Sequence, residues 1–268
     1  MSLNNSKVVC IGIGSMGGAI IKSICKKFPS KNIYITRRNQ ELGQKLANEM
    51  NCNFVSSNKE IVQDANYIFL AVKPNMISSV LSEIKDFVPP NAVLISMAAG
   101  MKIAKLNEFA PNLRFIRIMP NVPSQISEGM IAVSYNENIT TEEASEVTEL
   151  LQSTGIVEKV DEKLMDCVTA VSGSSPAFVF IFIEALADAA VRCGMPRKQA
   201  YLYAAQTVKG SASLVLKTGK NPAELKDSVC SPGGTTIEGV SALEQNGFRY
   251  SIIDAVTKAY EKSVSLGK

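Results

Sequence analysis

The sequence predicts an α/β fold, in which a doubly wound parallel sheet in residues 1–160 precedes an all-α domain in residues 161–268. Two observations predict this division. Up to residue 160, short apolar runs of strand character alternate with helical segments of roughly ten residues, as in βαβ units. After residue 161, long helical patterns follow one another, and we find no convincing strand.

Seven apolar runs predict the strands of the first domain, and we expect the last two to be edge strands. They occupy residues 7–13, 32–36, 67–72, 93–97, 114–119, 130–134 and 156–160. Helical patterns at residues 19–28 and 41–50 separate the first three runs. Because parallel sheets bind ligands at the carboxyl ends of their strands, the residues that directly follow each strand are the candidates for a site.

Five helices are predicted for the second domain, at residues 175–193, 197–218, 222–229, 237–245 and 250–266. The first is apolar nearly all round, with Pro176 in its first turn and Gly194 as the candidate C-cap. Such a helix is buried in a large core or in a subunit interface. A domain of about 100 residues has little room for that core, so we predict a dimerisation domain.

The composition excludes several kinds of site. The 268 residues include no histidine, which removes the Ser-His-Asp triad, the Cys-His pair and His-ligated zinc. Any general acid or base must be a carboxylate, lysine, tyrosine, cysteine or hydroxyl. A net charge of +3 is too small to indicate a nucleic acid or an acidic membrane surface as partner.

The cysteines and the N-terminus predict a cytoplasmic protein. None of the six cysteines has C-x-x-C spacing, and no secretory signal pattern begins the chain, so we expect reduced thiols. We also expect no membrane span, because Glu184 and Asp188 interrupt the best apolar run, AFVFIFIEALADAAV.

Residues 12–17 read GIGSMG, the G-x-G-x-x-G pattern, between the first predicted strand and a helix. In this context the pattern predicts a Rossmann-type dinucleotide site, with the pyrophosphate on the helix N-terminus. The first glycine permits the tight turn, the second admits the pyrophosphate and the third lets the helix pack closely. The predicted cofactor contacts here are Gly12, Ile13, Gly14, Ser15, Met16 and Gly17.

The end of the second strand predicts which dinucleotide binds. An NAD enzyme usually places Asp or Glu there for the ribose 2′-OH, whereas this chain has Thr36-Arg37-Arg38. Two guanidiniums can clamp a 2′-phosphate, so we predict NADP(H), with NAD(H) as a poorer alternative. The alternative interpretation is a pair of solvated arginines. Residues 1–40 hold seven basic residues and no acidic one, although the whole chain carries only +3.

Three further segments are typical of ligand sites, and each has a structural alternative. Lys73-Pro74 follows a strand and lies either in the ligand crevice or in a simple turn. Residues 172–176 (SGSSP) favour an N-cap followed by a first-turn proline. Residues 231–236 (SPGGTT) can present N–H groups and hydroxyls to a small carboxylate, or merely cap a helix.

Seven motifs together are typical of one enzyme family. They are the glycine fingerprint, AVKP at 71–74, SMAAG at 96–100, RIMPNVP at 117–123, TAVSGSSPAF at 169–178, EALAD at 184–188 and SPGGTTI at 231–237. On these motifs, of which SPGGTTI is the most specific, the chain resembles the pyrroline-5-carboxylate reductase family over nearly its whole length. Ser175 departs from the family, which more often has Gly there, and Asn-Val-Pro at 121–123 is a variant of Asn-Thr-Pro.

The resemblance implies NAD(P)H-dependent reduction of 1-pyrroline-5-carboxylate to L-proline, the last step of proline biosynthesis. It implies a homodimer, built into a larger ring such as a decamer. Thr236 is the predicted catalytic residue, because its hydroxyl can hydrogen-bond the ring nitrogen. Further cofactor contacts are expected at Thr36, Arg37, Arg38, Asn58, Ala71, Val72, Lys73, Pro74 and Ala99. Substrate contacts are expected at Ser231, Gly233, Gly234, Thr235, Thr236 and Glu162.

Two other functions share the dinucleotide signature. A β-hydroxyacid dehydrogenase would use a lysine on a C-terminal helix, for which Lys209 is the available analogue, but its surroundings do not match that motif. A non-catalytic NADP(H) sensor would have no need of the segment at 231–236.

Overall fold

The computed structural model describes residues 3–267, and the first part of the chain forms one sheet of eight strands. Most strand residues are buried, as in sheets covered on both faces. The strands are β1 (Val8–Ile11), β2 (Ile33–Thr36), β3 (Asn53–Phe54), β4 (Tyr67–Leu70), β5 (Val93–Ser96), β6 (Arg114–Met119), β7 (Gly129–Tyr135) and β8 (Gly155–Lys159).

The order of the strands places a switch point beside β1. The sheet runs β3-β2-β1-β4-β5-β6-β7-β8, and β1 to β6 are parallel to one another. The chain moves outward from β1 to β3 and then returns to the opposite side of β1. The carboxyl ends of β1 and β4 therefore flank the crevice in which doubly wound sheets bind ligands.

Helices cover both faces of the sheet, because alternate residues of each strand point to opposite sides. The helices are α1 (Ser15–Lys27), α2 (Gln40–Met50), α3 (Asn58–Val62), α4 (Ile77–Ile84), α5 (Ile103–Phe109) and α6 (Thr141–Gln152). Val8 and Cys10 belong to one core with α1, α2 and α6, whereas Val9 and Ile11 belong to a second core with α3, α4 and α5.

The structure corrects the predicted sheet in three places. Strand β7 runs antiparallel to β6, because residues 120–128 are too few for the crossover that a parallel neighbour needs. Strand β7 also lies between β6 and β8, so of the two predicted edge strands only β8 is at an edge. The two-residue strand β3 pairs with β2 and escaped prediction because it is too short to show a hydrophobic period.

A capping box joins the start of α6 to β6. The Thr140 hydroxyl accepts from the Glu143 N–H at 3.2 Å, and the Glu143 carboxylate accepts from the Thr140 N–H at 2.9 Å. Arg114 lies 2.8 Å from the same carboxylate. Burial raises the pKa of Glu143, but the bonds from Thr140 and Arg114 outweigh it and hold the pKa below its ordinary value of 4.5.

This cluster predicts a pH-dependent contribution to stability. Glu143→Gln keeps an acceptor for the cap but loses the charge facing Arg114, so we expect unfolding to cost about 1 kcal/mol less at neutral pH. Because the folded pKa is lowered, the wild-type advantage is full above the ordinary pKa and is lost as the pH falls through the folded pKa. Denaturant titrations at neutral and acidic pH measure this. An advantage that persists in acid would contradict it, and the exposed Glu142→Gln is the control.

The described chain divides into two compact units. Of the described residues, the first comprises 3–174 and 259–267, and the second comprises Ser175–Lys258. The predicted boundary at residues 160/161 follows the end of β8 and stays a prediction. The remaining helices are α7 (Met165–Val168), α8 (Ser175–Arg192), α9 (Arg197–Thr218), α10 (Pro222–Val229), α11 (Thr235–Gln245) and α12 (Phe248–Leu266).

The second unit is helical and leaves large apolar side chains exposed. Its core of buried residues is Ala187, Ala200 and Ala204. On α8, by contrast, Phe180 and Ile181 are 58% and 65% exposed. Exposed apolar surface of this kind marks an interaction site.

One helical segment differs from the expectation about membranes. Within the described residues, Glu162–Arg192 is long and apolar enough by length and composition to cross a bilayer. The apolar run found in the sequence, AFVFIFIEALADAAV, is shorter than this helical segment. The segment is longer because α7 and a π-helical turn at Thr169–Ser174 lead directly into α8. A single such helix is weak evidence for a membrane, since an apolar interface helix has the same composition.

Candidate active site

A cavity of about 770 Å³ opens at the carboxyl ends of β1, β2, β4 and β5. This is the switch point of the sheet. Every predicted cofactor residue except Gly17 lines it. The lining residues are Ile11, Gly12, Ile13, Gly14, Ser15, Met16, Thr36, Arg37, Arg38, Asn39, Asn58, Ala71, Val72, Lys73, Pro74, Met76, Val80, Met97, Ala98 and Ala99.

The three glycines of the fingerprint have different surroundings. Gly12 has φ +87°, and a Cβ there would lie 2.5 Å from Val72 Cγ1, so only glycine fits the turn. A Cβ on Gly17 would lie 2.6 Å from the Cβ of Ala71, which means that Gly17 brings α1 against the β4 end of the sheet. At Gly14 a Cβ would meet nothing within 4 Å, so this position borders open cavity.

The N-terminus of α1 is suited to an anion. Gly14 is the N-cap residue and makes no side-chain cap, so no side chain satisfies the first-turn N–H groups in the described structure. Those donors and the helix dipole favour a phosphate group.

The two arginines after β2 have different partners. Arg37 is half-buried and donates from Nη1 to the Ile13 carbonyl at 2.6 Å, which ties the end of β2 to the glycine loop. Arg38 is exposed, with Nη2 3.3 Å from the Met76 sulfur. A sulfur is a weak acceptor, so the Arg38 guanidinium is available to a stronger one.

Residues that follow β4 and β5 complete the wall. Asn58 begins α3, and its amide donates to Glu83 at 3.0 Å. Ala99 was expected from the family resemblance, whereas Met97 and Ala98 escaped prediction, although they directly follow β5 at the edge where parallel sheets bind ligands. Met76 and Val80 come from the helical segment after Lys73-Pro74, where no sequence signal marks them.

The predicted substrate segment forms a turn in the second unit. Gly233 has φ +65°, and the Gly234 N–H donates to the Ser231 carbonyl at 3.1 Å. Helix α11 begins at Thr235, and its N-cap residue Gly234 makes no side-chain cap. Thr236 is half-buried in the first turn of that helix. The turn thus presents backbone N–H groups and hydroxyls together, which suits a small carboxylate.

Glu162 lies in the first unit, where one of its carboxylate oxygens contacts two groups. Oε1 accepts from the Ile103 N–H at 2.7 Å and lies 3.4 Å from Nη1 of Arg117. Arg117 was not a candidate from the sequence, because an arginine inside a strand gives no sign of its partner.

Comparison with known families identifies both halves of the chain. The model described as "Pyrroline-5-carboxylate reductase dimerisation" matches residues 162–266. The model described as "NADP oxidoreductase coenzyme F420-dependent" matches residues 7–100. The pyrroline-5-carboxylate reductase of Escherichia coli is 43% identical over 266 residues, covering 98% of both chains. The chain belongs to the pyrroline-5-carboxylate reductase family.

Other relatives agree with this assignment. The pyrroline-5-carboxylate reductase of Arabidopsis thaliana is 38% identical, over 98% of this chain and 96% of its own. The crystal structure of the Plasmodium falciparum pyrroline carboxylate reductase with NADP bound has a TM-score of 0.90 at 35% identity, covering 99% of both chains. The predicted family is confirmed, and so is the predicted fold class of a Rossmann-type sheet followed by a helical dimerisation domain.

The family also explains the exposed apolar helices. The dimerisation model spans the five helices α8 to α12, including the exposed side chains of α8. The apolar segment that could pass for a membrane span lies within this match. The roles of the individual cofactor and substrate residues stay predictions.

Proposed function

We propose that this chain reduces 1-pyrroline-5-carboxylate to L-proline, with NADPH bound in the cavity of the first unit and the substrate carboxylate held by the turn at residues 231–236. The reductase activity and the NADP(H) cofactor predicted from the sequence are confirmed by the relatives and by the NADP-bound neighbour. The observation that carries the cofactor site is the cavity at the switch point, which brings Arg37 and Arg38 together with the glycine loop.

The cavity fits NADP(H) on three counts. Gly14 leaves open space beside uncapped N–H donors, where a pyrophosphate needs both. The sequence from Thr36 to Asn39 contains no carboxylate, which would repel a 2′-phosphate. Arg38 is exposed at the cavity, and its described contact is with the weakly accepting Met76 sulfur, so it can pair with that phosphate.

The reaction asks the protein mainly for geometry. NADPH, when bound, supplies the hydride that adds to the imine carbon. The ring nitrogen carries a proton, and the electrons of the C=N bond pass to it as the new C–H bond forms. The protonated imine is already an electrophile, so holding it in place contributes more than a strong acid would. This accounts for an active site in a chain without histidine.

We assign the holding of the substrate to the turn before α11. The N–H groups of Gly233, Thr235 and Thr236 bind the carboxylate, since that of Gly234 donates to the Ser231 carbonyl. The Thr236 hydroxyl hydrogen-bonds the ring nitrogen. Ser231 and Thr235 supply further hydroxyls. The proposed substrate contact of Glu162 would use Oε2, since both contacts described above use Oε1.

Removing the Thr236 hydroxyl tests this assignment. Thr236→Val keeps the shape of the side chain, and we expect kcat/KM for the imine to fall by about one to two orders of magnitude, the scale of one lost polar contact in the transition state. Thr236→Ser should restore most of the loss. Thr148→Val, on α6 outside the cavity, is the matched control. An unchanged kcat/KM in Thr236→Val would remove this residue from the mechanism.

We also propose a cytoplasmic homodimer assembled into a larger ring such as a decamer, without a nucleic acid or a membrane as partner. The exposed apolar residues of the dimerisation helices support association. Light scattering on the purified chain in detergent-free buffer tests the proposal, and a stable monomer would contradict it.

Transfer of label tests the chemistry. NADPH carrying deuterium at the transferred position should give L-proline labelled at the former imine carbon. A β-hydroxyacid dehydrogenase would instead label a hydroxy acid made from the corresponding keto acid, and a non-catalytic NADP(H) sensor would label neither product.

A further inference from the structure

One wall of the cofactor cavity is a loop with few hydrogen bonds of its own. The loop, residues 97–102, joins β5 to α5, and Met97, Ala98 and Ala99 face the cavity. Two of its backbone bonds are long, at 3.4 Å from the Met97 N–H to the Leu70 carbonyl and 3.3 Å from the Met101 N–H to the Ala98 carbonyl. Bonds of this length are weak, so the position of the loop depends on the packing of Ala98 in the core and of Gly100 against the end of α12, and on what holds its far end.

The far end of the loop is held by Glu162. Helix α5 begins at Ile103, and its N-cap residue Lys102 makes no side-chain cap. The Glu162 carboxylate instead accepts from the Ile103 N–H at 2.7 Å, from 59 residues further along the chain. A carboxylate at this position satisfies a free donor and is also stabilised by the helix dipole.

Glu162 is in turn held by a buried arginine. Arg117 lies on β6 between Ser96 of β5 and Ser134 of β7, and it is 0% exposed. Its Nη1 is 3.4 Å from the Oε1 of Glu162 that caps α5, whereas Nε and Nη2 have no acceptor within residues 3–267. A buried guanidinium so poorly satisfied adds little to stability. Within residues 3–267 its side-chain partner is Glu162, so its effect is on the placement of that carboxylate.

We infer that Arg117 and Glu162 are positioning residues for the cofactor. Together they fix the start of α5, and through it the loop at 97–102, so that the wall formed by Met97 to Ala99 is in place before NADPH binds. This inference rests on the proposed NADP(H) site. The proposed substrate contact of Glu162 is a separate role. It affects the binding of the imine, whereas the role inferred here affects the binding of NADPH.

The test is the Kd for NADPH, measured by fluorescence on the full chain without substrate. For Glu162→Ala we expect a rise of about tenfold, on the scale of one charge-assisted hydrogen bond. For Glu162→Gln the Kd should rise only about threefold, because the amide oxygen of glutamine still accepts from the Ile103 N–H. The Kd is measured without substrate, so it does not depend on the separate substrate contact proposed for Glu162. Asp161→Asn, which alters a neighbouring exposed carboxylate paired with Lys163, is the control.

Two results would overturn the inference. One is an unchanged Kd for NADPH in Glu162→Ala, even if the variant melts at a lower temperature, because the pair would then serve folding alone. The other is a raised KM for the imine with an unchanged Kd for NADPH, which would limit Glu162 to its proposed contact with the substrate. Should Glu162→Ala not fold, the double variant Arg117→Met/Glu162→Gln removes both charges, and it must still bind NADPH less tightly than wild type. Wild-type protein that fails to bind NADPH would instead refute the cofactor site itself.

Discussion

Replacing Arg37 and Arg38 together by alanine is expected to raise the Kd for NADPH about 10²-fold, because two charge-assisted contacts to the 2′-phosphate are lost. NADH has no 2′-phosphate, so its Kd should rise less than about tenfold. That smaller rise comes from Arg37, whose bond to the Ile13 carbonyl positions the glycine loop for either cofactor. Titration of both nucleotides against the variant measures the difference.

Single variants and a charge control distinguish direct contact with the 2′-phosphate from long-range electrostatic attraction. Arg38→Ala should weaken the binding of NADPH but not of NADH, since the described contacts of Arg38 include none with the glycine loop. Lys22→Ala/Lys26→Ala removes two charges from the same basic segment, at exposed positions of α1 outside the cavity. It should change the Kd for NADPH by no more than about twofold. Equal losses for NADPH and NADH in the double arginine variant would contradict the assignment of the 2′-phosphate.

Gly14→Val is expected to weaken both nucleotides by about 10²-fold, because the new side chain occupies the space that the pyrophosphate needs. The backbone at Gly14 has φ −89°, which any residue adopts, and nothing lies within 4 Å of the new Cβ. The variant should therefore fold, at a cost of about 1 kcal/mol or less for a poorer N-cap. Calorimetric titration and denaturant unfolding measure the two quantities separately.

Gly17→Ala is expected to lower stability, in contrast to Gly14→Val, which is expected to lower nucleotide affinity. Its Cβ would lie 2.6 Å from the Cβ of Ala71 and 3.0 Å from the Gly12 carbonyl, so overpacking should cost about 1–3 kcal/mol of stability. We thus expect lost binding with a retained fold at Gly14, and lost stability at Gly17. Retained nucleotide affinity in Gly14→Val would show that the pyrophosphate does not approach the loop there.

The sequence predicted the bounds of those helices that begin and end at capping residues. Helix α9 ends before Gly219 at φ +64°, and α10 starts at Pro222 behind the Asn221 cap, so both ranges were predicted correctly. The antiparallel pairing of β7 with β6 was not predicted, because a strand pattern does not encode the direction of its partner. Strand β3 exists only through its pairing with β2, and a tertiary contact of this kind leaves no period in the sequence.

The cofactor cavity was predictable for a similar reason. In a doubly wound sheet, residues just after neighbouring strands converge at one edge, so local position in the sequence was enough to bring Gly12, Arg37 and Lys73 together. The contact between Arg117 and Glu162 joins residues 45 positions apart, and nothing local links them. The substrate turn was singled out by its glycines and hydroxyls, and its role stays a prediction.

The most direct test of the proposed function is the oxidation of NADPH by the purified enzyme with 1-pyrroline-5-carboxylate, measured beside NADH and beside a keto acid. We expect rapid oxidation with the cyclic imine, formation of L-proline in equal amount, a lower kcat/KM with NADH and no turnover of the keto acid. Tight binding of NADPH without its oxidation by the imine, or turnover of the keto acid in place of the imine, would contradict it.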